Sequence, residues 1–211
     1  HEGDTHDIKL IGQTAFWISL GTGLIVSTFL FALSTKIGLA IESEQVGKGI
    51  AIVAPATCLF AINKVLMGIL NGARRIKAMA VNQSLRMIVI LSCCSGLLIM
   101  EQPAYLLASG FLAAEIILTP ILLYHTQAWG WPFGVVSAKE WLLNHFKFGI
   151  KALSGGFLSE SYIRIDILML AIFVSDRDVG IYSFAAMFVE GLFQVPVVIR
   201  TISNPILVRL L

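Results

Sequence analysis

Charge is scarce in this chain of 211 residues: Asp, Glu, Lys and Arg together make up 13% of it, about half the roughly 25% of an average soluble domain. Mean hydropathy is +0.84 and 57% of the residues are apolar. Apolar runs this long and frequent exclude a water-soluble globule and leave the bilayer as solvent. A net charge of +2, with no long basic tract, gives no footprint for nucleic acid. Cysteine is equally sparse. Cys58, Cys93 and Cys94 all lie in apolar segments, and an odd number with two adjacent excludes a disulfide framework or a zinc site. They read as small core hydrophobes. The four histidines, His1, His6, His125 and His145, fall outside the apolar runs and lack metal-ligand spacing. There is no nucleophile elbow, no phosphate-cradling glycine loop and no acidic pair beside a binding motif. Nothing in the residues calls for an enzyme, a metal or a cofactor. An internal repeat, common in transporters, is also missing.

What is present is a series of apolar runs near 20 residues, the length a helix needs to cross a bilayer. About six spans are expected, making an all-α integral membrane protein. They run from about Leu10 to Leu33, Val46 to Leu70, Leu85 to Met100, Tyr105 to Tyr124, Ala152 to Val174, and from beyond Gly180 to about Ser203. Alternating sides places Lys9, Arg74, Arg75, Lys77, Arg86, Lys139, Lys147, Lys151 and Arg209 on one side. Lys36, Lys48 and Arg177 fall on the other. By the positive-inside rule the richer side is cytoplasmic, as are both ends of the sequence. The chain starts at HEGDTHDIKL and stops at ILVRLL inside an apolar stretch, so it reads as a piece of a longer membrane protein.

The connection from about His125 to Ile150 is the longest. Trp129 and Trp131 suit the headgroup layer, and Ser137-x-x-Glu140 has capping-box spacing. Trp141, Leu142, Phe146 and Phe148, mixed with Lys147, then fit either a short helix on the inner membrane surface or an extension of the fifth span. Gly68-x-x-x-Gly72 has helix-packing spacing, which in so glycine-rich a chain also arises by chance.

Seven ionisable residues fall within the spans: Lys64, Glu115, Glu160, Arg164, Asp166, Glu190 and Arg200. A charge at mid-membrane costs at least about 2.5–3.5 kcal/mol, so these groups face protein or water. Glu160 and Arg164 are four apart and share a face. Asp166 lies on an adjoining face with Ser159 and Tyr162. Two polar faces on one helix point to a hydrated cavity; buried ion pairs that lock helices are the alternative. Glu190 and Gln194 continue the polar lining one span later. Lys64 and Arg200 lie near span ends, where long stems snorkel or reach inward. Pro55, Pro120, Pro196 and Pro205 suggest kinks.

The stretch FGIKALSGGFLSESYIRIDILMLAIFVSDRDVGIYSFAAMFVEGLFQVPVVIRTISNPIL resembles the bacterial O-antigen and polysaccharide-unit flippases of the multidrug/oligosaccharidyl-lipid/polysaccharide exporter superfamily. Its most specific parts are RIDILML, DVGIYSFAA and the proline-interrupted QVPVVI with NP beyond it. INKVLMGILNGARRIKAMAVNQSLR looks like a helix and inner loop of the same family. The resemblance implies a two-lobed transporter of twelve or more helices. Residues 1–125 would belong to the first lobe, 126–150 to a cytoplasmic connector and 151–211 to the start of the second lobe, so the retained helices lack their symmetric counterparts.

It also implies the cargo, an oligosaccharide on a polyprenyl diphosphate, moved from inner to outer leaflet of the bacterial cytoplasmic membrane. Arg164 would grip the diphosphate, with Lys64, Arg200, Glu160 and Gln194 completing the substrate site. Asp166, Glu190 and Glu115 would be the candidates to carry a coupling proton or cation, or would hydrogen-bond sugar hydroxyls. The polysaccharide polymerase and glycosyltransferases would be partners. A cation-coupled small-molecule exporter on the same fold remains the first alternative. A membrane-embedded polymerase is disfavoured, because the outer connections, about Ser34 to Gln45 and Ser175 to Gly180, are too short for a catalytic domain. A scaffold subunit, with the charged faces as interface locks, is the non-transport reading.

Overall fold

A computed structural model of the chain describes residues 2–127 and 139–210. Among these every long element is a helix: α1 Glu2–Ala40, α2 Glu44–Gly72, α3 Ile76–Ile99, α4 Ala108–Thr126, α5 Lys139–Phe173 and α6 Asp176–Leu210. A short 3-10 turn, Ala104–Leu107, leads into α4. Helix is what lipid dictates, since only intra-segment bonds satisfy the backbone where water is absent. Side-chain hydroxyls obey the same constraint by bonding back one turn, as Thr14 does to the Leu10 carbonyl at 2.7 Å and Thr126 to Leu122 at 2.8 Å.

Among the described residues five stretches are long and apolar enough to cross a membrane: Leu10–Ala40, Glu44–Gly72, Ile76–Ile99, Ala104–Thr126 and Arg177–Val197. The protein is therefore an all-α, multi-pass membrane protein. α5 is longer than any of the last three but carries Glu160, Arg164 and Asp166 in one stretch, which dilutes its hydropathy. It is one continuous helix from Lys139, so the extension reading of its start holds over a separate surface helix. Trp129, Trp131 and Ser137 lie outside the described residues.

The chain divides into two compact units, His1–Lys147 and Phe148–Leu211. In the first, α1 and α2 form an antiparallel hairpin against which α4 and then α3 pack. The core is a stride-of-four stripe on α2, Cys58, Ile62, Leu66 and Leu70, meeting Leu118 and Leu122 of α4 and Phe16 of α1. The α4 stripe tapers from Gly110 and Ala114 to Leu118 and Leu122, all buried. Its small end lets α3 approach: a Cβ on Gly110 would sit 3.1 Å from the Cys94 sulfur.

Close approach of α1 and α2 rests on glycines that the sequence reading did not single out. A Cβ on Gly38 would fall 2.9 Å from the Gly47 Cα, and one on Gly23 would fall 3.1 Å from the Cys58 Cα. Gly68 and Gly72, the pair at packing spacing, have nothing within 4 Å of a built Cβ. That open space among the described residues fits the reading of their spacing as chance.

The helices end in one recurring way. α1, α2 and α3 each close with a pair of backbone bonds, Ser43 N to Gly38 O with Glu42 N to Leu39 O, Arg75 N to Leu70 O with Arg74 N to Asn71 O, and Gln102 N to Leu97 O with Glu101 N to Leu98 O. These are Schellman closures, whose left-handed position usually holds glycine. Here it holds Glu42, Arg74 and Glu101, at φ of 54°, 57° and 51°. Ser43 then caps α2, its hydroxyl accepting from Val46 N at 3.5 Å.

In the second unit, α5 and α6 are joined by Val174 and Ser175. Ser175 opens α6 as a cap: its hydroxyl accepts from Asp178 N at 3.4 Å and donates to the Asp178 carboxylate at 2.6 Å. Most large apolar side chains of this hairpin are exposed, Phe157 at 69% and Leu192 at 76% among them. Faces of that kind belong against lipid or further protein.

Candidate functional site

The buried polar groups of the first unit converge from three helices. Asn63 of α2, Arg86 of α3 and Glu115 of α4 are 0%, 4% and 0% exposed. Arg86 Nε lies 2.8 Å from Glu115 Oε1, an ion-pair distance at an angle off-line for a hydrogen bond. Its Nη2 donates to Glu115 Oε2 at 3.3 Å and its Nη1 to Gln83 Oε1 at 3.0 Å. Asn63 Nδ2 donates to the same Glu115 Oε2 at 2.8 Å and to the Glu115 carbonyl at 3.2 Å. The guanidinium carbon also lies 5.3 Å from the Phe60 ring centre, within cation–π range.

Depth explains why these residues meet. Asn63 is nine residues from the α2 end, Arg86 ten from the α3 start and Glu115 eleven from the α4 end. At 1.5 Å per residue each lies about 15 Å inside the same boundary, the mid-plane of a core about 30 Å thick. The charges are fully desolvated there and matched one to one, so the cluster is a dry lock rather than a wet site.

One turn nearer that boundary, Asn82 is 1% exposed and donates to the Ala78 carbonyl at 2.8 Å while touching His125 Nδ1 at 3.1 Å. With the amide nitrogen committed to Ala78, the contact requires Nδ1 to accept. The carbonyl oxygens of Asn63 and Asn82 have no hydrogen-bond partner among the described residues.

Arg86 and His125 were both assigned to loops by the sequence reading; the structure puts Arg86 in the middle of α3 and His125 in the last turn of α4. Moving Arg86 leaves eight basic residues against three in the side census, so the bias survives. The run from Asn71 to Arg86 is polar enough to read as a connection, which hides Asn82 and Arg86, while Asn63 is an uncharged residue inside an apolar span and carries no signal of its own. The four-residue spacing of Asn82 and Arg86 was the available signal of a shared buried face.

The expected site residues divide as follows. Glu115 belongs to the lock. Lys64 is exposed, with its ammonium 5.3 Å from the same Phe60 ring that Arg86 touches. In the second unit Asp166 is exposed and accepts from the Tyr182 hydroxyl at 2.6 Å and from Ile167 N at 2.8 Å. Glu190 is half-buried and Gln194 exposed on α6. Glu160, Arg164 and Arg200 lie on the described helices α5 and α6, but their side chains are outside the described residues. Among the described residues no group of three or more metal-type ligands occurs.

The sequence matches the family of polysaccharide biosynthesis proteins over residues 4–210. The chain belongs to that family. No curated protein and no solved structure matches it. As a polysaccharide biosynthesis family member built of membrane helices, it has a part in making or moving polysaccharide.

Proposed function

We propose that the chain forms part of a flippase that moves a polyprenyl-diphosphate-linked oligosaccharide, an O-antigen or capsule unit. The cargo passes from the inner to the outer leaflet of the bacterial cytoplasmic membrane by alternating access of two lobes. The observation that carries this reading is the Asp166–Tyr182 pair. Asp166 precedes the α5–α6 turn by eight residues, about 12 Å along the helix, at the level of Tyr182 inside the Arg177–Val197 span. An exposed carboxylate at that depth cannot face acyl chains; it faces water or polar protein surface. In the first unit the buried Arg86 and Glu115 are paired with each other, while Lys64, exposed eight residues from the α2 end, calls for similar surroundings.

In this reading residues 1–125 build one lobe, 126–150 the connector and 151–211 the start of the second lobe. Arg164 grips the diphosphate, because a guanidinium stays charged and binds phosphate oxygens bidentately. Lys64, Arg200, Glu160 and Gln194 complete the binding of headgroup and sugar. Asp166 and Glu190 carry the coupling proton or cation. Glu115 drops out of that role, since releasing it would strand Arg86. A transporter rather than an enzyme is the reading we favour, and the connections of two to four residues after α1, α3 and α5 support it. Polymerase and glycosyltransferases are its partners in the pathway.

The test is outer-leaflet delivery of lipid-linked oligosaccharide by the full-length protein carrying Arg164→Ala. Loss of a charge-assisted bond to phosphate predicts a fall of at least about tenfold. Undiminished delivery rejects Arg164 as the phosphate anchor.

A further inference from the structure

At the boundary where α2 ends, α3 begins and α4 ends lies a pocket of about 450 Å³. Arg74, Arg75, Lys77 and His125 line it together with the apolar Ile76 and Val81. No acid lines it among the described residues. The Schellman closure of α2 places Arg74 and Arg75 at its rim. α3 opens here without a side-chain cap, and Arg74, Arg75 and Lys77 line the same pocket, a set of cations that attracts phosphate oxygens.

The apolar wall continues out of the pocket. Val81, Ile88 and Leu91 are 55%, 59% and 68% exposed and follow one face of α3 at steps of seven and three. The ten steps from Val81 to Leu91 rise about 15 Å, the depth of one leaflet. A cationic pocket at the membrane boundary with an apolar track of leaflet length fits one kind of molecule, a phosphate-bearing membrane lipid.

We propose that this pocket binds the headgroup of an anionic phospholipid of the surrounding bilayer, with an acyl chain laid along Val81, Ile88 and Leu91. The site is made by the first unit alone and does not depend on the transport reading. Arg74 and Lys77 hold the phosphate, and Arg75 adds to the field.

The experiment measures binding to the purified full-length protein of short-chain phosphatidylglycerol, short-chain phosphatidylcholine and inorganic phosphate. Phosphatidylglycerol is expected to bind at least about tenfold more tightly than either comparator, less so as salt is raised. Each cation near an anionic headgroup contributes about fivefold in affinity, so Arg74→Gly with Lys77→Ala predicts a loss of roughly 25-fold. Arg74→Gly suits the fold, because φ there is 57° and glycine adopts it without strain. Lys36→Ala with Lys48→Ala, at the opposite end of the helices, leaves binding unchanged. Absence of phosphatidylglycerol binding overturns the proposal, as does equal binding by inorganic phosphate, which marks a free-anion site. Unchanged affinity in the Arg74→Gly, Lys77→Ala protein, or an equal loss in the Lys36, Lys48 variant, overturns it as well.

Discussion

Arg86 and Glu115 are worth more together than the cost of either alone suggests. Removing one partner leaves a bare charge at the bilayer mid-plane, and breaking a buried pair costs about 3–5 kcal/mol. Glu115→Ala should therefore lower the thermal unfolding midpoint of the purified protein strongly. The combined Arg86→Met, Glu115→Leu replacement should recover most of the loss, since apolar substitution of a whole buried pair is close to neutral. A double variant no more stable than Glu115→Ala would contradict the lock. Residues in the left-handed position behave oppositely. Glu101, at φ 51°, gains from Glu101→Gly by about 1 kcal/mol, read as a higher unfolding midpoint. At this scale the sequence was least legible. Glu115 was visible as an intramembrane acid, but its partner lies 29 positions away in a run whose polarity resembles a loop. The four-residue spacing of Asn82 and Arg86 puts them on one face, but the fold is needed to show that this face is buried.

At the scale of elements the apolar runs were enough to find the helices, because a spanning segment must be both long and greasy. Their ends were not. α3 begins at Ile76 rather than near Leu85, since buried polar residues lower hydropathy without ending a helix. Helix packing was undecided in the sequence for a related reason: glycine spacing repeats often in this chain, and only close approach shows which glycines matter. Gly38→Leu should force α1 off α2, because a Cβ would already meet the Gly47 backbone at 2.9 Å. Gly68→Ala, with open space around it, should leave the fold intact and add helix propensity of up to about 1 kcal/mol. Trypsin sensitivity of the two variants in detergent separates them: the first is cleaved readily, the second no faster than the parent. Equal resistance would mean that the Gly38–Gly47 contact does not set the α1–α2 hairpin.

At the scale of the molecule, the two units treat their intramembrane charge differently. The first pairs Arg86 with Glu115 in a buried cluster, leaves Lys64 exposed beside Phe60, and presents a cationic pocket at one boundary. The second leaves Asp166 and Tyr182 exposed to each other at membrane depth. That contrast was half legible: two polar faces on α5 were readable from the spacing of Glu160, Arg164 and Asp166, whereas the dry state of Glu115 was not, because burial depends on neighbours distant in sequence. The transport reading draws on both, a buried ion pair in one unit and an exposed carboxylate in the other. Thiol labelling in the full-length protein, made cysteine-free and given one cysteine at a time, tests it directly. With Asp166→Cys the account predicts rapid reaction with a membrane-impermeant reagent, slowed by polyprenyl diphosphate. With Ala114→Cys, at a position 0% exposed in the first unit, it predicts no reaction. An unreactive Asp166→Cys, or equal reactivity at the two positions, would contradict it.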